Sequence, residues 1–229
     1  MNEDYWVNFW NTNDILKNSD FQLQVGRAIN KVPISPKKWN LTLQNIREKL
    51  KLNADDTLMD ICSGNGLISL AFSKYVKEVV AVDISEKLIS QINKAKISNV
   101  TTIIADIREL TFEENKFSKI IFYFALQHFT EQETLFIFKK INKWLKKGGK
   151  CYIGDIPDRE EIWKYFNTEE RENAYFNSLE NNTPIIGNWF NKSILEKLAS
   201  YCGFSKSVII NQNEDMINAH YRFDILLIK

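Results

Sequence analysis

The sequence predicts an α/β fold of the doubly wound kind, a mostly parallel sheet with helices on both faces, preceded by an N-terminal helical cap. Three observations carry this. From Thr57 onward, short β-branched runs alternate with amphipathic stretches, the pattern of strands joined by crossover helices. The first run passes into a glycine-containing turn and then at once into a helix, as parallel sheets do beside a ligand crevice. The chain also has 229 residues, 44% hydrophobic and 26% charged, so it can bury a core without disulfide or metal support.

Taken in order, residues 1–50 read as a cap, helical in two pieces split by VPISP. Tyr5, Trp6, Phe9 and Trp10 recur there at helical spacing, which by itself means packing. Residues 51–229 read as one domain, with strands near 57–61 (TLMDI), 78–83 (EVVAVD), 100–105 (VTTIIA), 118–124 (SKIIFYF) and 149–155 (GKCYIGD). Helices fill the gaps at about 66–75, 85–96 and 131–147. In the last, Ile137, Ile141, Trp144 and Leu145 share a face, Lys139, Lys143, Lys146 and Lys147 lie off it, and Gly148 and Gly149 are expected to stop the helix. Residues 156–190, rich in Glu, Asn and aromatics, read as an inserted segment beside the substrate. NKSILEKLASYCGF then makes a helix ended by Gly203, and strands near 204–211 and 220–228 close the chain as an antiparallel hairpin.

Composition narrows the function. Thirty Lys and Arg against 29 Asp and Glu leave a net charge of +1, which gives no bulk electrostatic grip on nucleic acid. Cys62, Cys151 and Cys202 are widely separated, with no C-x-x-C pair for zinc or redox work, and fit a reducing compartment. The opening MNEDYWVNFWN lacks the positive start and apolar stretch of a secretory signal, and no window holds eighteen consecutive apolar residues. The expectation is a cytoplasmic protein without membrane or nucleic-acid partners, a monomer or homodimer.

The chemistry concentrates in LMDICSGNGLISL, where Asp60 precedes Cys62, Ser63, Gly64, Asn65 and Gly66. Glycines let the backbone turn sharply and approach a ligand, and the following helix offers free N–H groups. A nicotinamide site wants G-x-G-x-x-G, but the third position here is Ser69, and the Asp60 carboxylate would repel a pyrophosphate and suit a cationic ligand. The second strand ends in Asp83, placed to accept both hydroxyls of a ribose, and the third in Ala105 and Asp106, beside the same crevice. Each acid alone can equally be a helix cap, as Asp83 before ISEKLI illustrates.

These motifs resemble those of the class I S-adenosylmethionine-dependent methyltransferases, over about residues 40–229 and most specifically across 57–155. MDICSGNG is similar to that family's glycine-rich first motif, VVAVDIS to its acid-ended second and IIADIREL to its third. The resemblance implies a seven-stranded sheet of the Rossmann-like methyltransferase type, its last strand antiparallel. It implies S-adenosylmethionine as cofactor, with Asp60, Cys62, Ser63, Gly64, Asn65 and Gly66 around the methionine part, Asp83 and Ile84 at the ribose and adenine, and Asp106 and Ile107 flanking the adenine. The likeness is closer to small-molecule enzymes such as quinone C-methyltransferases and amino-sugar N-methyltransferases. FYFALQHF lacks the N/D-P-P-Y of amino-directed nucleic-acid methylases, and no acidic trio suggests a metal site.

His128, after the fourth strand, lies where the resemblance puts the acceptor, and either takes a proton there or orients its loop. Arg27 is a candidate partner for the methionine carboxylate or an acidic acceptor, and equally a surface arginine. Residues 1–50 and 156–190 are expected to form a lid whose aromatics, among Tyr5, Trp6, Trp10, Trp163, Tyr175 and Trp189, shape an acceptor pocket. His220 either faces that pocket or sits at a strand edge. The expected function is methyl transfer to an O, N or C atom of a small molecule. A nicotinamide enzyme, a nucleic-acid methyltransferase and a non-catalytic cofactor-binding protein are the alternatives.

Overall fold

The computed structural model describes residues 5–12, 20–29 and 32–229; the parts of the expected cap at 1–4, 13–19 and 30–31 lie outside them. In chain order come α1 (Tyr5–Thr12), α2 (Phe21–Gln24), a small hairpin of β1 (Ala28–Ile29) and β2 (Val32–Pro33), and α3 (Pro36–Leu50). Asp20 caps α2 by accepting from the Gln22 and Leu23 amides, and Ser35 with Pro36 at the first helical position starts α3. The hairpin is absent from the sequence reading, since two-residue strands carry no periodicity.

The sheet follows as β3 (Thr57–Ile61), α4 (Ser69–Phe72), β4 (Glu78–Asp83), α5 (Glu86–Lys94), β5 (Val100–Ile104), β6 (Phe117–Tyr123), α6 (Glu131–Trp144) and β7 (Leu145–Pro157). Then come α7 (Ile162–Tyr165), α8 (Glu169–Glu180), α9 (Lys192–Tyr201), β8 (Lys206–Asn211) and β9 (Arg222–Ile228). The seven strands are ordered β5-β4-β3-β6-β7-β9-β8, and β9 runs antiparallel to both of its neighbours while the rest share one direction. This is the mostly parallel, doubly wound sheet that the sequence predicts.

Both faces are covered, so β3 is buried at every residue. On one face Met59, Ile61, Ile120 and Phe122 pack with Ile137, Phe138, Ile141 and Trp144 of α6 and Leu195 of α9. On the other, Leu58, Val79, Ile121 and Tyr152 meet Trp39, Ile46 and Leu50 of α3 and Phe72 of α4. Alternation along each strand thus sorts neighbouring residues between two cores.

Two helix ends differ from expectation. Helix α6, started by a Thr130–Glu133 capping box, stops at Trp144 and not at the glycines. Leu145 turns extended to pair with Phe117, the Lys229 ammonium takes the carbonyls of Lys143 and Leu145, and Gly148 and Gly149 lie inside β7. The helix expected at 66–75 shrinks to the single turn of α4 and a 3₁₀ turn over Ser73–Tyr75, because the Asn99 amide captures the Ser73 and Val76 carbonyls.

Candidate functional site

Strand order reverses between β3 and β6, so the loops leaving their carboxyl ends diverge and open a crevice. Its floor comes from Asp60 and the loop of Cys62, Ser63, Gly64 and Asn65, and one end from Asp83, Ile84, Asp106 and Ile107. Tyr123, Phe124 and His128 stand at the other end, and Trp6 and Trp10 of α1 cover it.

The three acids stand together, each held differently. Asp83 accepts from the Gly64 amide (2.8 Å) and the Ser85 amide (2.9 Å), so it braces the glycine turn while lining the crevice. It is not the cap of α5; Ser85 is. Asp60 accepts a 2.5 Å bond from Ser69, the residue that departs from the three-glycine pattern. Burial, helped by the neighbouring Asp83, pushes the Asp60 carboxyl up to about 7, and burial also raises Asp83. Asp106 is gripped by Arg108, which also bridges to Glu133 (2.8 Å). Gly66 does not line the crevice: at φ +88°, with its would-be Cβ 2.7 Å from Ile92, it serves the packing of α5.

The N-terminal segment is fastened to the glycine loop itself. Asn65, fully buried, donates through Nδ2 to the Phe21 carbonyl (2.7 Å) and to the Gln24 side chain (2.9 Å), while Ser85 donates to the Trp10 carbonyl (3.1 Å). His128 ends a 3₁₀ turn after β6, with Trp6 at 4.2 Å and Trp10 at 5.9 Å between ring centroids. Burial and then the Arg222 charge lower its pKa to about 3, and its Nδ1 is buried without a partner. It is a neutral imidazole suited to hydrogen bonding and too weak a base to store a proton near neutrality.

Residues 58–149, which hold the whole glycine turn and all three acids, match the methyltransferase domain family. Over this region the chain is similar to methyltransferase domains. Among curated proteins, a ubiquinone/menaquinone biosynthesis C-methyltransferase of Idiomarina loihiensis is 28% identical over 51% of this chain and 47% of its own length. The chain spans about half the length of the curated relatives it matches. Among solved structures, an S-adenosylmethionine-dependent methyltransferase of Leishmania major is 11% identical, covering 99% of this chain and 82% of that one at a TM-score of 0.70. Magnesium protoporphyrin IX methyltransferase of Synechocystis, solved with bound S-adenosylhomocysteine, is 13% identical, covering 99% of both chains at a TM-score of 0.67.

Beside the crevice, Arg27 is neither at the surface nor free. It is 3% exposed, ion-paired with Asp155, bonded to the Tyr123 hydroxyl (3.3 Å), and stacked near Trp39 and Phe124. Asp155, in the left-handed region at φ +60°, sits at a bulge where β7 leaves register with β9. Burial opposes its ionisation, but Arg27 and Arg222 outweigh burial and hold its carboxyl below the ordinary value. Sequence reasoning missed this cluster, because positions 27, 155 and 222 share no local spacing.

The remaining aromatics divide. Tyr5 packs on Trp6 and Phe9 and does not line the crevice. Tyr175 and Trp189 line a separate cavity of about 410 Å³ in the inserted segment, where Phe166 contacts both rings. Trp163 packs on Tyr175, and His220 on Tyr221, outside the crevice. Among the described residues, no cluster of His, Cys, Asp or Glu has the arrangement of a metal site, and no helix is long and apolar enough to cross a membrane.

Proposed function

We propose that this chain transfers a methyl group from S-adenosylmethionine to a small-molecule acceptor, inside the cell. The observation that carries the reading is the glycine turn with carboxylates at three adjacent strand ends, closed over by an indole-bearing lid. Three free thiols suit a reducing compartment.

The residues present fit the cofactor. Asp83, fixed by two amides, keeps acceptor capacity for a ribose diol, since each carboxylate oxygen takes more than one bond. Ile84, Leu88 and Ile107 give apolar walls for a flat base, with Asp106 at the edge. Ser63 Oγ is buried without a partner, a polar atom in need of a ligand. Asp60 suits the cationic methionine end, whose charge would favour the carboxylate form that burial disfavours. When bound, the cofactor supplies an electrophilic methyl group on a sulfonium. The chain's own work is then placement: Asp60 and Asp83 fix the cofactor's ends, Trp6 and Trp10 exclude water, and His128 offers a hydrogen bond to the acceptor.

Residues 5–12 and 20–29 act as lid. That the Idiomarina relative is named for quinone biosynthesis supports a small planar acceptor. Incubating the purified protein and methyl-labelled S-adenosylmethionine with fractionated cell extract tests this. Label in the small-molecule fraction is expected; label confined to RNA, DNA or protein would overturn the acceptor class.

A further inference from the structure

The acceptor end of the crevice has a chemistry of its own. Its walls are rings, namely Trp6, Trp10, Trp39, Tyr123 and Phe124. Among the described residues, three polar atoms on the lining of this end are buried without partners: Nε1 of Trp6 and Nε of Arg27, both N–H donors, and Nδ1 of His128. The carboxylates that line the crevice, Asp60, Asp83 and Asp106, all belong to the glycine-turn half, and each is already engaged by Ser69, by backbone amides or by Arg108.

Charge behind this end is arranged to the same effect. The guanidinium groups of Arg27 and Arg222 lie 4.6 Å and 4.8 Å from the centre of the Phe124 ring. Asp155 pairs with both, so two cations share one carboxylate. Asp224, the other acid of the cluster, is taken up by the Tyr152 hydroxyl, the Gln212 amide and the Asp155 N–H. Tyr123 accepts from Arg27 and adds no negative charge, and Gln127 accepts from Arg222. An ammonium placed between Trp6 and Phe124 would meet two guanidinium groups and no free carboxylate, whereas an oxyanion would meet an unused N–H.

We propose that the acceptor is a flat, conjugated ring bearing an acidic hydroxyl, a phenol or enol bound as its oxyanion, with the oxygen received by Arg27 Nε–H and a neighbouring hydroxyl or carbonyl by His128. The proposal rests on the methyltransferase reading and narrows it against amine acceptors. The hydroxyl proton passes to water on binding. The ring's oxygen, or the ring carbon it activates, forms the new bond to the methyl carbon while the carbon–sulfur bond breaks and its electron pair stays on sulfur, so the negative acceptor and positive donor both become neutral.

The test uses binding as well as turnover. With the protein saturated by S-adenosylhomocysteine, 4-nitrophenol is titrated while its phenolate absorption is followed across pH, and benzylamine, a ring of like size bearing an ammonium, is titrated calorimetrically. The expected result is 4-nitrophenol bound with its apparent pKa lowered by about one unit, a tenfold preference for the oxyanion, and benzylamine bound at least about tenfold more weakly. Arg27→Lys, which keeps the charge beside Asp155 but removes Nε–H, abolishes most of that shift. Benzylamine binding as tightly as 4-nitrophenol, an unshifted or raised pKa, or no binding of either compound would overturn the proposal while leaving the cofactor reading intact. Failure of S-adenosylhomocysteine itself to bind would instead remove the reading on which it rests.

Discussion

Asn65 tests the coupling between cofactor loop and lid most sharply, because its side chain makes two bonds to the lid and has no charge to complicate them. Replacing it with alanine removes the donors to the Phe21 carbonyl and the Gln24 side chain, at 2.7 and 2.9 Å, from a residue without exposed surface. A neutral hydrogen bond contributes about 1 kcal/mol net, so the pair holds the lid down by about 2 kcal/mol. At about 1.4 kcal/mol per decade, lid opening becomes roughly 30-fold more frequent. Amide hydrogen exchange reads this directly: protection of α2 falls by about that factor in Asn65→Ala, while β3 and β4 keep theirs. The dissociation rate of S-adenosylhomocysteine rises in step. Exchange of α2 within about threefold of wild type would refute the reasoning and assign the hold on the lid to other contacts, such as Arg27 on Asp155 and Ser85 on Trp10.

Asp83→Ala should weaken cofactor binding by about tenfold or more and lower the melting temperature, since it removes ribose acceptors and two bonds to backbone amides worth about 1.5–3 kcal/mol each when charged; unchanged affinity in the folded variant would leave Asp83 as a brace for the glycine turn only. Gly66→Ala should destabilise by about 1–3 kcal/mol in denaturant titration, as the new methyl meets Ile92 at 2.7 Å with φ at +88°. Asp60, raised from 3.8 to about 7, keeps in the native state a proton that the unfolded chain loses, so its contribution to stability falls as pH rises between those values. A cationic ligand beside it favours the ionised form, so S-adenosylmethionine affinity rises over the same window and binding at pH 6 releases a proton, visible in calorimetry with buffers of different ionisation heat; an identical observed heat in every buffer would contradict this.

The fold was legible where one element carries its own signal. TLMDI, EVVAVD and VTTII are short apolar or β-branched runs ended by acids or turns, and they form β3, β4 and β5 within a residue of expectation. The crevice was legible for the same reason, since parallel neighbours bring successive strand ends to one edge. What escaped depends on partners distant in sequence. The stop of α6 is set by the Lys229 ammonium and by pairing with Phe117, and no local breaker marks it. Arg27 was visible as a candidate, but its partner Asp155 lies 128 residues away and Arg222 reaches the same carboxylate from β9. Tyr175 and Trp189 looked like Trp6 and Trp10 in composition, and only packing separates the two aromatic groups into different cavities. A usable signal was overlooked at Ser69: a hydroxyl nine positions after Asp60, in place of a third glycine, is spaced to bond back to the strand-end acid.

The central claim is that the crevice between the glycine turn and the Trp6–Trp10 roof is an S-adenosylmethionine site. Isothermal titration of the purified chain with S-adenosylmethionine, S-adenosylhomocysteine and NAD tests it most directly. The account predicts saturable binding of one molecule of either sulfur compound per chain, with a change in tryptophan fluorescence as the roof closes, and no heat from NAD. Saturable binding of NAD, with no heat from the two sulfur compounds, would contradict it.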